Sequence, residues 1–123
     1  MVSTELLLFS QVAVDNEIDN YPKSIQVLKN LIQLRDTLIS LEKLLDVDII
    51  INSGYRCPLL NDKVKGSKNS YHMYGLAADI TIANTGKCTL TDLKDLCREL
   101  RKTRFTEVVI HDTYIHVAIK KYV

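Results

Sequence analysis

The chain has 123 residues, which suffice for one domain with one hydrophobic core, and we predict a single domain over 1–123. Apolar residues make up 46% and charged residues 25% of the chain, and the formal net charge is +1 with both signs mixed along it. This composition is ordinary for a globular protein, and it offers no electrostatic basis for a nucleic-acid partner or an anionic membrane.

The N-terminus and the cysteines bear on where the protein acts. No basic segment with a long apolar run opens the chain, and no stretch approaches the ~20 apolar residues that span a bilayer, so we expect no signal peptide and no membrane insertion. Three widely spaced cysteines, without an export signal, favour reduced thiols (Cys57, Cys88 and Cys97). Cys57 stands beside the candidate site described below, where a semi-buried structural role is favoured over a reactive one.

The first half of the chain contains one long periodic segment. Residues 1–20 are mixed, and the apolar run 6–9 is either a short helix or a brace. Apolar residues then recur at spacings of three and four over 23–45, which predicts an amphipathic helix that Asn20 or Asp19 caps. The continuous β-branched run from Ile49 predicts a buried strand to about Asn52. Pro58 is expected to start a short helix over 59–64.

The second half alternates short strands with one helix. Residues 77–82 carry β-branched residues in alternation and predict a second strand. Thr89 or Thr91 is placed to cap a second amphipathic helix that contains Leu93 to Leu100. Residues 105–110 and 114–119 predict two further strands joined as a hairpin. The sequence therefore indicates an α+β fold, with a small, mainly antiparallel sheet backed by two amphipathic helices.

Residues with metal-binding chemistry concentrate in 53–80 and in the last predicted strand. Zinc takes four tetrahedral ligand positions, of which a catalytic site supplies three from the protein. His72 and Asp79 stand seven residues apart across a turn, and alternation places His116 on the strand face opposite Ile115 and Val117. This arrangement favours one metal bound by the three polar residues. A lone strand histidine is also often a surface or structural residue, and spacing by itself leaves that alternative open.

The joint pattern resembles the zinc D-alanyl-D-alanine carboxypeptidase family, which shares the hedgehog/DD-peptidase fold with phage endolysins and related cell-wall peptidases. The matching segments are Ser53-Gly-Tyr-Arg56, Asn61, Gly66-Ser-Lys-Asn-Ser70-Tyr-His72, Gly75, Ala77-Ala78-Asp79-Ile80 and Ile115-His116-Val117. The resemblance implies that His72, Asp79 and His116 bind Zn²⁺. It also implies that Arg56 binds a peptide carboxylate or polarises the scissile carbonyl. Ser70 either binds substrate or holds its own loop.

The sequence departs from the family pattern at the expected general base. Many members carry an acidic residue three positions before the last histidine, where this chain has Thr113. Asp112 or His111 in the preceding turn are the alternative candidates for moving the water proton, and Asp112 as a purely turn-forming residue is equally open. Glu107 ranks third because the pattern places it at the far end of its strand.

The resemblance implies a zinc-dependent peptidase that hydrolyses peptidoglycan stem peptides, either as a D,D-carboxypeptidase or as an endopeptidase of the endolysin type. The alternatives are a catalytically weak or inactive zinc module that binds cell-wall peptide, and a structural role without metal. We expect a monomer. Without a signal peptide, the protein is expected to be made in the cytoplasm and to reach the cell wall after release, which suits a phage or mobile-element origin.

Overall fold

In the computed structural model, which describes residues 1–83, 85–101 and 103–120, four strands form one antiparallel sheet. The strands are β1 (Ile49–Ser53), β2 (Ala77–Ile82), β3 (Phe105–Ile110) and β4 (Ile115–Ile119), and their order in the sheet is β1-β2-β4-β3. Every neighbouring pair is antiparallel, and β3 and β4 form the predicted hairpin. The predicted α+β class and antiparallel sheet are therefore confirmed.

The longest helix of the described residues is the predicted amphipathic one. The helices are α1 (Thr4–Leu8), α2 (Gln11–Asp15), α3 (Ile25–Leu45), α4 (Pro58–Lys63) and α5 (Leu90–Leu100), with a 3₁₀ turn at Tyr71–Tyr74. None of the helices within the described ranges has the length and the apolar character needed to cross a membrane.

The expected cap of α3 was wrong, and the difference bears on the site. Ser24 caps this helix by accepting a hydrogen bond from the Val27 N–H, so the helix begins after Pro22 and not around it. Asn20 is instead buried, and its side chain forms hydrogen bonds with the backbone of other segments of the chain. Thr89 caps α5 as predicted, in a capping box with Asp92.

One face of the sheet carries the hydrophobic core. Alternate strand residues are buried there and pack in one cluster with the apolar faces of α3 and α5: Ala78, Ile80, Ile115, Val117, Leu34, Leu38, Leu93 and Cys97. Each fully buried Leu, Ile or Val side chain contributes about 1.5–3 kcal/mol to the stability relative to an exposed one. Because this face is fixed by burial, the register of β2 and β4 is fixed too. The polar residues between these positions consequently point to the other face.

Candidate metal centre

Two of the predicted ligands meet across neighbouring strands. Asp79 on β2 lies directly opposite His116 on β4, and His116 Nδ1 is 3.0 Å from Asp79 Oδ1. Cross-strand partners point to the same face of a sheet, so both side chains leave the core together. The predicted alternation of β4, with His116 on one face and Ile115 and Val117 in the core, agrees with this structure.

The third predicted ligand, His72, comes from the 3₁₀ turn just before β2. Ser70 caps this turn by accepting a hydrogen bond from the His72 N–H, and Gly75 ends it at a φ of 72°. A Cβ at Gly75 would lie 2.8 Å from the Val27 carbonyl oxygen on α3, so the position requires glycine for space as well as for backbone angle. The chain therefore turns tightly from His72 into the strand that carries Asp79.

The His72 ring is buried and held in one orientation. Its Nδ1 lies 2.8 Å from the Gly54 carbonyl oxygen. A carbonyl only accepts hydrogen bonds, so Nδ1 carries the proton and Nε2 keeps its lone pair. Nε2 lies 3.4 Å from Asp79 Oδ1. A backbone carbonyl that fixes the tautomer in this way is the usual outer partner of a metal-binding histidine.

The three side chains fit a metal ion by their chemistry and their spacing. One ligand atom each from His72, Asp79 and His116 lies within 4.8 Å of the other two. The two rings stand 5.2 Å apart between centroids. Two imidazole nitrogens and one carboxylate oxygen form a donor set that suits Zn²⁺ and leaves a fourth position for water or substrate.

The charges at this centre depend on one another. Burial would raise the pKa of Asp79, but hydrogen bonds with His116 and His72 outweigh it and hold that pKa well below its usual range. The pKa of His116 is raised, mainly by the hydrogen bond to Asp79 and further by Glu107, against the opposing effect of burial. The centre therefore holds a carboxylate between two bases, which is a site that attracts a cation.

Arg56 stands beside the centre on the loop after β1. Its Nε donates to Ser53 Oγ at 3.2 Å, and its Nη2 lies 3.7 Å from Asp79 Oδ2. Burial lowers the pKa of Arg56, and the negative charge of Asp79 partly offsets this effect. The backbone N–H of Arg56 also donates to the carbonyl of His72. The structure thus brings the predicted arginine to the predicted ligands.

The loop that carries Arg56 is held by Asn20, whose role the sequence did not indicate. Asn20 Nδ2 donates to the carbonyls of Leu8 and Tyr55, at 3.0 and 2.9 Å. Its Oδ1 accepts from the Cys57 N–H at 2.7 Å. Cys57 in turn caps α4 through its Sγ, which accepts from the Leu60 N–H. The structural interpretation of Cys57 matches this contact, and all three cysteines are free thiols.

Glu107 lies closer to the centre than its place in the sequence predicted. Its Oε1 is 3.0 Å from His116 Nε2. The reason is the register of the hairpin: Val109 pairs with His116, and Glu107 is two residues away on the same face, within diagonal reach of a long side chain. The expectation that Glu107 lies too far along its strand was therefore wrong.

The turn between β3 and β4 places the other candidates at the surface. His111 is exposed, and its ring stacks on Tyr114 with centroids 4.3 Å apart. Asp112 is exposed, and its backbone carbonyl accepts a hydrogen bond from Lys94 Nζ at 3.0 Å. Within the described residues, the grouped metal-binding side chains include neither of them. Thr113 is also exposed at this turn.

Comparison with known proteins agrees with this geometry. A family model described as Peptidase M15 matches residues 2–118. The chain is also 36% identical over 78 residues to the zinc D-Ala-D-Ala carboxypeptidase of Streptomyces albus G. That match takes in 59% of this chain and 28% of the relative, so the chain corresponds to less than a third of that protein's length. Because the family match spans nearly the whole chain, from before α1 to the last strand, this protein belongs to the peptidase M15 family.

Proposed function

We propose that this protein is a zinc-dependent peptidase that hydrolyses peptide bonds of peptidoglycan stem peptides, as a D,D-carboxypeptidase or as an endopeptidase. The observation that carries the proposal is the convergence of two histidines and one aspartate within 4.8 Å beside a half-buried arginine. The substrate class comes from the similarity to a protein named zinc D-Ala-D-Ala carboxypeptidase.

In this proposal the metal is held by His72 Nε2, the Asp79 carboxylate and His116 Nδ1. Zinc bound there supplies a Lewis acid that polarises a carbonyl and lowers the pKa of water towards neutrality. The chain's own task is to keep the three donors in place. Gly54 does this for His72 through its carbonyl, and the β2–β4 register does it for Asp79 and His116.

Arg56 is proposed to orient the peptide. A guanidinium presents a planar, permanently charged fork that matches a carboxylate or a carbonyl. A cavity of about 360 Å³ opens beside it, with Ser53, Gly54 and Phe9 among its lining residues. This cavity gives a peptide chain room beside Arg56. Ser70 has a structural contact in the turn cap, which supports a loop-holding role, and we assign it no separate step.

The proton is proposed to pass through the 111–113 turn. Asp112 and His111 are the candidates, because a threonine hydroxyl does not act as a base at neutral pH and Thr113 stands at the position where an acid was expected. The His111 ring stacks on Tyr114, with ring centroids 4.3 Å apart. A carboxylate and an imidazole can both serve as a general base, so both residues remain candidates in this proposal.

The experiment is peptide release from purified sacculi and D-alanine release from a pentapeptide ending in D-Ala-D-Ala. We expect release with zinc, loss of release with a chelator, and recovery when zinc is returned. Removing the proton carrier, by His111→Ala or Asp112→Ala, is expected to lower the rate by about 10²–10⁴. Asp36→Ala, at an exposed position on α3, is the matched control and should leave the rate unchanged. Absence of zinc-dependent release from both substrates would refute the proposal.

Thr113 favours one second candidate, a zinc module that binds cell-wall peptide without turnover. In that case zinc-loaded protein would co-sediment with sacculi and release nothing, and His111→Ala and Asp112→Ala would leave co-sedimentation unchanged. Arg56→Ala should weaken co-sedimentation under either candidate, because both use this residue to bind the peptide. Catalytic release therefore discriminates between the two, and binding alone does not.

A further inference from the structure

The hydrogen bond between Glu107 and His116 has no role in the function proposed above. His116 is the outermost donor of the centre, and its ring lies between two carboxylates. Nδ1 faces Asp79 Oδ1 at 3.0 Å, and Nε2 faces Glu107 Oε1 at 3.0 Å. The two contacts involve different nitrogens, so they have different consequences for metal binding.

A carboxylate accepts hydrogen bonds and, when ionised, donates none. Both ring nitrogens of His116 face a carboxylate, so both can donate a hydrogen bond as long as no metal is bound. A metal ion would take the place of the proton on Nδ1, because Asp79 belongs to the donor group, and Nε2 would keep its proton for Glu107. The His72 ring has the opposite orientation: its protonated Nδ1 faces the Gly54 carbonyl, and its Nε2 faces Asp79. The two rings consequently present different nitrogens to one centre.

We propose that Glu107 is a positioning residue that fixes the tautomer and the orientation of His116 for metal binding. The inference rests on the proposed zinc centre and adds to it a residue outside the donor group. Outer partners of this kind orient a ligand histidine and raise its basicity. Glu107 contacts the ring nitrogen on the side away from Asp79, so the imidazole separates its carboxylate from the three converging donors. This placement suits an orienting contact and not direct proton transfer at the metal.

The test compares zinc affinity, measured by competition with a chromogenic chelator, among three variants of the full chain. Glu107→Ala removes the acceptor and should weaken zinc binding about 10- to 100-fold. Glu107→Gln keeps an amide oxygen that accepts from Nε2, and should lose a smaller part of the affinity. Glu99→Ala removes the same charge from an exposed position on α5 and is the matched control, with affinity unchanged. Urea unfolding of the zinc-free proteins shows whether each variant is folded.

A second readout reports the tautomer directly. Long-range ¹H–¹⁵N correlation spectra of the zinc-loaded protein should show a protonated Nε2 on His116 and a protonated Nδ1 on His72. Wild-type affinity in Glu107→Ala, or zinc bound to His116 through Nε2, would overturn the inference and leave the zinc centre standing. Failure of the wild-type protein to take up zinc would overturn both the centre and the role of Glu107.

Discussion

Gly66 is the position where a single methyl group is expected to damage both the fold and the arginine beside the metal centre. A Cβ at this position would lie 2.0 Å from Asn61 Oδ1 and 3.1 Å from Arg56 Nη1. Asn61 cannot move aside, because it is 1% exposed and its Nδ2 donates to the Ser67 carbonyl at 2.8 Å. In Gly66→Ala the added methyl group must therefore displace the Asn61 amide, the guanidinium, or both.

The size of the effect follows from these contacts. Forcing one extra carbon into a packed site costs about 1–3 kcal/mol, and loss of the Asn61–Ser67 hydrogen bond adds about 1 kcal/mol. We expect Gly66→Ala to lower the free energy of unfolding by about 2–4 kcal/mol. Gly86→Ala is the matched control, because nothing lies within 4 Å of a Cβ there, and it should cost nothing or stabilise slightly.

Equilibrium unfolding in urea measures this difference at a common temperature and zinc concentration. The double variant Asn61→Ala/Gly66→Ala removes the amide that the methyl group meets. Its loss of stability should consequently be smaller than the sum of the two single losses, as expected for residues in contact. Equal stabilities of Gly66→Ala and Gly86→Ala, within about 0.5 kcal/mol, would refute the reasoning. Additivity in the double variant would do the same.

Two further predictions concern a buried carboxylate and the charges of the centre. Glu42 accepts hydrogen bonds from the N–H groups of Val2 and Ile49, each at 2.9 Å. Glu42→Ala should therefore lower the free energy of unfolding, measured in urea, by about 2–4 kcal/mol. A loss below about 1 kcal/mol would contradict this prediction. The raised pKa of His116 makes zinc affinity rise with pH, because the metal must displace a proton. In the zinc-free protein, the stabilisation that arises from this shift is fully present below pH 6.5, and it is lost as the pH rises through the raised pKa of His116. Chelator competition measures the zinc affinity, and urea unfolding measures the stability of the zinc-free protein, both from about pH 5 to 9. The affinity should rise and the stability contributed by His116 should fall over this range, so a change of both in the same direction would contradict the reasoning.

The sequence predicted α3, α4, α5, the four strands and the three residues of the candidate metal centre, but it did not predict α2. The periodicity of 23–45 and the alternation of the strands follow from local spacing, which depends on no distant contact. His116 could be assigned to the polar face of β4 because its neighbours Ile115 and Val117 are apolar. The motif around His72 and Asp79 identified the other two members of the group, and the structure brings the three together.

Only the tertiary structure decided which side chains support that group. Asn20 looked like a helix cap, but it is buried between the Leu8 and Tyr55 carbonyls, which come from distant parts of the chain. Glu107 looked remote, yet the hairpin register brings it to His116. Sequence patterns report which face a residue occupies, since that depends on the helix or strand period. They do not report which partner meets it there, because that depends on strand register and on loops packed from elsewhere in the chain.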